Sequence, residues 1–272
     1  MGQRIGLRSD NTLSHTDFHG LGGELRRFGI GLIQRIFHTW HPVGDQALAY
    51  LTTLSGCQRP NYRFAYAVDN DWFAAQSSES RRNRAKFLDE QGWPWDAFVV
   101  LGIMKWAQRE DPLTLVAAFR QLRARVARAR LILVGDGPLK DAVTAACRPL
   151  GNSVLCPGYA AYSTLPYWYG LADAFVHPAP DEPWGVSVTE SLACGVPVIA
   201  ADGVGAAHEA LLSDTCGAVF PNGEASVLAS KLEAYAASPF LREQCEPAAK
   251  NAADRWHYRH TIEAFQRALQ DI

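Results

Sequence analysis

The chain has 272 residues, 48% of them apolar, which is enough for one large domain or two small ones around a buried core. With 26 Lys plus Arg against 28 Asp plus Glu there is no overall basic field of the kind that gathers nucleic acid, so any anionic ligand must be held by a local site. No stretch reaches the roughly 18–20 apolar residues of a membrane-spanning helix, and the six scattered cysteines lack CxxC or zinc spacing, which reads as reduced thiols in a cytoplasmic protein.

The first 95 residues show little regular rhythm. Ile5 to Arg8 reads as a strand, Leu25 to Trp40 and Gln46 to Leu54 as helices, and Tyr62 to Val68 as a second strand. Two strands fall short of a whole Rossmann domain, so this part is expected to be an incomplete acceptor-side remnant. The segment from Gln76 to Asp96 is polar and Arg-rich at first, and then Gly92-Trp-Pro-Trp95 reads as a linker.

From about residue 96 short apolar runs alternate with helical segments, the pattern of βαβ units around a parallel sheet. Strands are expected at Ala97 to Gly102, Leu131 to Val134, Ser153 to Cys156, Ala174 to His177, Val196 to Ala200 and Val219-Phe220. Helices are expected at Pro112 to Arg128, Leu165 to Ala172, Gly185 to Ala193, Ala225 to Ala237 and Phe240 to Ala253. The fold class is therefore α/β, with a Rossmann-type domain over 96–255 and a last helix in 256–272.

The most informative stretch is DEPWGVSVTESLACGVPVIA, from Asp181 to Ala200. Glu182 lies in a loop and Glu190 inside the following helix, with Gly185 at the bend. A helix N-terminus after glycine presents unpaired N–H groups and a positive dipole end, a seat for a diphosphate supplied here by Gly185, Val186 and Ser187. Glu190, one turn on, fits a carboxylate that accepts ribose hydroxyls, and Glu182 fits one that accepts hydroxyls of a sugar.

These residues resemble the retaining glycosyltransferases of family 4, the group 1 glycosyltransferases, whose mark is E-x-F-G-x-x-x-x-E-A-x-A-x-G-x-P-V. Trp184 stands where Phe is usual and Ser191 where Ala is usual. The likeness continues in Asp111 to Phe119, in Leu131 to Leu139, in Cys156-Pro-Gly158-Tyr159 beside the expected base, in Ala201 to Glu209 and in Gly217 to Gly223. Val68-Asp69 with Phe73 is similar to the family's interdomain connection, and Trp256 to Leu269 to the helix that crosses back.

The resemblance implies a GT-B-like fold and sugar transfer from a UDP- or GDP-linked donor to an acceptor hydroxyl, with retention and with neither metal nor cofactor. The donor site it implies comprises Gly102, Gly158, Tyr159, Pro183, Trp184, Gly185, Val186, Ser187 and Glu190, with Glu182, Glu190, Arg109 and Lys105 as catalytic groups. The family follows its first donor-domain strand with Gly-Arg or Gly-Lys and a second Lys; here Ile103 follows Gly102, and Lys105 and Arg109 are the substitutes in that loop, unless they are merely solvated.

The acceptor class stays open between polysaccharide, lipid and small molecule. A separate acceptor-domain chain is one expected partner, and the arginines of residues 120–130, otherwise a helix's wet face, are one expected peripheral membrane contact. Alternatives are a non-catalytic nucleotide-sugar-binding subunit, the donor half of a split enzyme, or a GT-B epimerase or phosphorylase, although no lysine-bound cofactor signature is evident. His15, His19 and Asp17 suggest a metal site only superficially, since no third ligand is evident.

Overall fold

In this computed structural model residues 4–210 and 216–270 are described. The chain begins with β1 (Gly6–Ser9), α1 (Gly20–Gln34), β2 (Thr39–Pro42) and α2 (Asp45–Ser55). Then follow α3 (Asn70–Arg82), α4 (Arg84–Glu90), β3 (Phe98–Ile103), α5 (Pro112–Arg125), β4 (Ala129–Val134), α6 (Lys140–Cys147), β5 (Val154–Gly158) and α7 (Leu165–Leu171). The order ends with β6 (Ala174–His177), α8 (Val186–Ala193), β7 (Val198–Ala201), α9 (Gly205–Ala210), β8 (Gly217–Phe220), α10 (Ala225–Ala237), α11 (Pro239–Asp254) and α12 (Tyr258–Gln270). Two compact units result, one of Met1–Val68 with Arg255–Ile272 and one of Asp69–Asp254.

The larger unit is built on a six-stranded parallel sheet in the order β5-β4-β3-β6-β7-β8. Counted within the unit this is the doubly wound order 3-2-1-4-5-6, so the direction of winding reverses between β3 and β6, where the crevice for a ligand forms beyond the strand ends. Phe98, Val99, Val100 and Leu101 of β3 are all fully buried, which explains an uninterrupted apolar run: helices cover both sheet faces. Helix α5 starts sharply because Asp111 caps it, accepting from the Thr114 amide at 3.2 Å and its hydroxyl at 2.6 Å, with Pro112 in the first turn.

The polar stretch from Gln76 forms the end of α3 and α4, which belong to the larger unit, and Gly92 to Trp95 lies between α4 and β3. Asp69 caps α3 through the Trp72 amide at 3.0 Å. Arg84 donates to the Ala97 carbonyl at 2.7 Å, the Leu171 carbonyl at 3.1 Å and Asp173 Oδ2 at 2.8 Å, and that same oxygen takes the Val99 amide at 2.8 Å. Arg84 thus ties α4 to the start of the sheet, and the larger compact unit begins at Asp69, ahead of the boundary expected at residue 95.

In the smaller unit β1 and β2 pair in parallel. The helix expected over Leu25 to Trp40 starts earlier, at Gly20, and ends at Gln34, while Thr39-Trp40 begin β2. Apolar spacing persisted through Ile36 and Phe37 and hid the break, whereas the glycines at 20, 22 and 23 masked the true start by their low helix propensity. The expected strand over Tyr62 to Val68 is an extended rail: Tyr62 and Phe64 amides bond the Trp40 and Pro42 carbonyls at 2.9 and 3.0 Å, with isolated bridges at Asn61 and Val68. Helix α12 rejoins this unit through Val68↔His257.

Candidate active site

The loops after β3 and β6, the two strands flanking the reversal of winding, carry the candidate groups. Gly185 caps α8 with φ 90° and ψ 73°, a left-handed conformation that a side chain would strain, and a Cβ there would meet Val204 at 2.8 Å. Val188 N–H is taken by the Gly185 carbonyl at 3.0 Å. The amides of Val186 and Ser187 stand at the helix start, where no carbonyl of the helix precedes them.

The segment after β7 fixes the loop that holds Glu182. The Glu182 amide donates to the Gly203 carbonyl at 3.0 Å, Gly205 N–H donates to the Glu182 carbonyl at 2.9 Å, and Ala206 N–H to the Trp184 carbonyl at 2.7 Å. A Cβ on Gly203 would lie 1.9 Å from the Pro180 carbonyl, and one on Gly205 2.0 Å from that of Pro183. Both glycines are therefore required by close backbone approach.

Arg109 and Glu182 meet across the crevice at 3.0 Å (Nη2 to Oε2). Glu110 shares the same Arg109 Nη2, at 3.4 Å; burial and then the Glu182 carboxylate push its pKa up, against Arg109 and Lys105. His177, at the end of β6, is 5% exposed, and its Nδ1 has no hydrogen-bond partner. Burial, and secondarily the Arg109 charge, lowers its pKa to about 4.

Glu190 is 5% exposed and accepts a hydrogen bond from the Tyr169 hydroxyl at 3.0 Å. Burial raises its pKa to about 7, with the Tyr169 hydrogen bond acting in the opposite sense. Nearby, a cavity of about 510 Å³ is lined by Ile103, Met104, Lys105, Gly135, Asp136, Tyr159 and Tyr162, among others. Tyr159 is 81% exposed on its wall, and Gly158 beside it has φ 86°.

Of the sequence-derived set, Glu182 and Arg109 are brought together, Lys105 and Tyr159 share one cavity, and Pro183, Gly185, Val186, Ser187 and Glu190 run from the loop into α8. Gly102 does not belong to the lining. A Cβ on it would point into the core, 2.6 Å from Leu115 and 3.0 Å from Leu133, so packing explains this glycine. Trp184 is 3% exposed, so its ring forms part of the core and offers no open platform. Gly135 and Gly137 are also explained by close approach to Met104 and Trp106, and Asp136 Oδ1 accepts the Gly137 amide at 2.8 Å. His15 is hydrogen bonded to the Thr12 and Ser14 hydroxyls, and among the described residues no group of three or more His, Cys, Asp and Glu is placed to hold a metal.

Sequence reasoning did not single out Tyr162 or His177, and it read Tyr169 as a packing residue. The two tyrosines follow the Gly158-Tyr159 loop closely in sequence, and His177 ends a strand on the crevice side of the sheet. Those placements were legible, but the partners that give them meaning were not.

The model of the family "Glycosyl transferases group 1" matches residues 83–252, well over half of the chain. A GDP-mannose-dependent alpha-(1-6)-phosphatidylinositol monomannoside mannosyltransferase of Mycolicibacterium smegmatis is 28% identical over 203 residues, which cover 71% of this chain and 51% of that protein. The chain therefore spans about half the length of that curated relative. In fold it is similar to Anabaena HepE solved with UDP and glucose, at TM-score 0.78 and 18% identity over 99% of this chain and 72% of the other. It is similar also to a chain of the GtfA/B complex, at TM-score 0.74 and 13% identity over 98% and 52%. Family match, GT-B-like architecture and the Glu182 to Glu190 segment agree: the chain belongs to the group 1 glycosyltransferases.

Proposed function

We propose that the larger unit is the donor site of a retaining glycosyltransferase that moves a sugar from a UDP- or GDP-linked donor to an acceptor hydroxyl. The observation that carries this is the Glu182–Arg109 pair, its glutamate in the loop that leads through Gly185 into α8, with Glu190 one turn inside that helix. The diphosphate sits on the Val186 and Ser187 amides and takes the charge of Arg109 and Lys105 as negative charge builds on the leaving oxygens. Glu190 accepts the ribose hydroxyls, Glu182 those of the sugar, and Tyr159 offers its ring face to the base.

In this reading the departing diphosphate helps deprotonate the acceptor as it attacks from the same face, and the protein supplies positioning and electrostatics. No metal or bound cofactor takes part. Support for a nucleotide donor comes from the UDP bound to Anabaena HepE and the GDP-mannose dependence of the mycobacterial relative. Slow hydrolysis of UDP- or GDP-sugars, with water as acceptor, tests the mechanism. Proton NMR recorded before mutarotation should find the released sugar in the donor's anomeric form; the opposite anomer contradicts retention.

A second reading is a donor-side chain that works with a separate acceptor-side chain, favoured by the likeness to a chain of the GtfA/B complex. It expects nucleotide binding by this chain alone with turnover only after the second chain is added. A non-catalytic subunit would bind without turnover in either case. Both readings place the chain at the cytoplasmic side, where acceptors on lipid or polysaccharide precursors are met.

A further inference from the structure

The Tyr169 ring is fully buried and held edge-on by Phe175 at 5.4 Å and Phe73 at 6.2 Å between centroids. Its hydroxyl lies 3.0 Å from Glu190 Oε2 and 3.3 Å from the Ser187 carbonyl. One hydroxyl therefore touches both parts of α8 that the donor reading uses, its first turn and the carboxylate one turn on. A phenol has one proton to give, and the charged, closer carboxylate is the better acceptor.

We infer that Tyr169 is a positioning residue for the nucleotide, its hydroxyl fixing the plane of the Glu190 carboxylate so that the remaining lone pairs face a ribose diol. This rests on the donor-site reading. A glutamate's terminal torsion is broad and nearly unrestrained when nothing holds it. A vicinal diol needs two acceptor directions at once, and a carboxylate anchored through one oxygen presents them without ordering on binding.

The Ser187 carbonyl gives the hydroxyl a second use. When Glu190 is protonated, its O–H can donate to the tyrosine oxygen, and the phenol proton turns to the carbonyl. Glu190 then presents a carboxylic acid to the ribose, a poorer acceptor than the ion. The titratable groups that face Glu190 are Tyr169 and Tyr162 from the segment after β5 and Cys194 at the C-cap of α8.

Calorimetry of UDP and GDP against the full chain between about pH 5.5 and 9, for the parent, Y169F and E190Q, tests this. The parent should bind more tightly as pH rises through about 7, where Glu190 loses its proton. E190Q should show only the nucleotide's own titration. Y169F should bind roughly tenfold more weakly near neutrality, with the rise displaced to higher pH, because the hydrogen bond that lowers the Glu190 pKa is gone.

A Y169F curve that overlays the parent, with E190Q weakened, would make Tyr169 packing alone and leave the donor site intact. Binding of neither nucleotide to the parent would sink the donor site and this inference together. If Y169F does not fold, 3-fluorotyrosine installed at position 169 keeps the shape and strengthens the donor. The pH of the rise should then fall, and an unmoved rise overturns the inference.

Discussion

Arg109 Nη2 lies 3.0 Å from Glu182 Oε2, although 73 residues separate them in the chain. The pair joins the loops after β3 and β6. Its guanidinium side chain is 59% exposed, so the pair adds little to folding, about 0.2–1 kcal/mol. Arg109→Ala should leave thermal stability within a few degrees of the parent while weakening UDP or GDP binding by about 1.5–3 kcal/mol. Calorimetry at two salt concentrations checks this: the parent's affinity should fall with salt more steeply than the variant's.

Glu190 and His177 shape stability against pH in opposite directions. The folded Glu190 pKa is raised to about 7 from 4.5, so its contribution is complete below pH 4.5 and is lost as pH rises through about 7. The folded His177 pKa is lowered to about 4 from 6.5, so its contribution is complete above pH 6.5 and is lost as pH falls through about 4. In denaturant titrations E190Q should gain on the parent between pH 4.5 and 7, and His177→Leu between pH 6.5 and 4, each by on the order of 1–3 kcal/mol. Differences that stay constant across those windows would contradict the burial of these groups.

Gly205 holds the Glu182 backbone and leaves no room for a Cβ beside the Pro183 carbonyl. Gly205→Ala should displace the Glu182 loop and cost about 1–3 kcal/mol of stability. Because the start of α8 lies beyond Pro183, UDP affinity should change less than affinity for the intact UDP-sugar. Parallel titrations of the two ligands measure that split.

Asp173 joins the Arg84 guanidinium to the Val99 amide. Asp173→Ala leaves a mostly buried arginine without that partner, which typically costs about 3–5 kcal/mol. Chemical denaturation should show it, and a loss below about 1 kcal/mol, the range of exposed pairs, would mean that α4 is not fastened to the sheet this way.

What the sequence made legible follows from local physics. The strands of the larger sheet are apolar runs bounded by turns, and Ala225 to Ala237 is observed with the bounds expected for it. The Glu182, Gly185 and Glu190 segment was readable because its spacing lies within one loop and one helix. Tertiary contacts account for the remainder: Arg84 is an anchor only because Asp173 folds back to it, and Tyr169 matters only because α7 packs where Glu190 emerges. At Gly102 a strand-end glycine suits either a ligand or a neighbour's side chain, and the side chains of Leu115, Met104 and Leu133 fill the space a Cβ would take.

In the proposed function the crevice between the loops after β3 and β6 binds a nucleoside diphosphate through α8 and Glu190. Calorimetry of UDP and GDP against the parent chain and Glu190→Ala at pH 8 tests it most directly. Saturable one-to-one binding of one of the two is expected, weakened by about 1–3 kcal/mol in the variant. No binding of either nucleotide, or equal affinity in parent and variant, would contradict it.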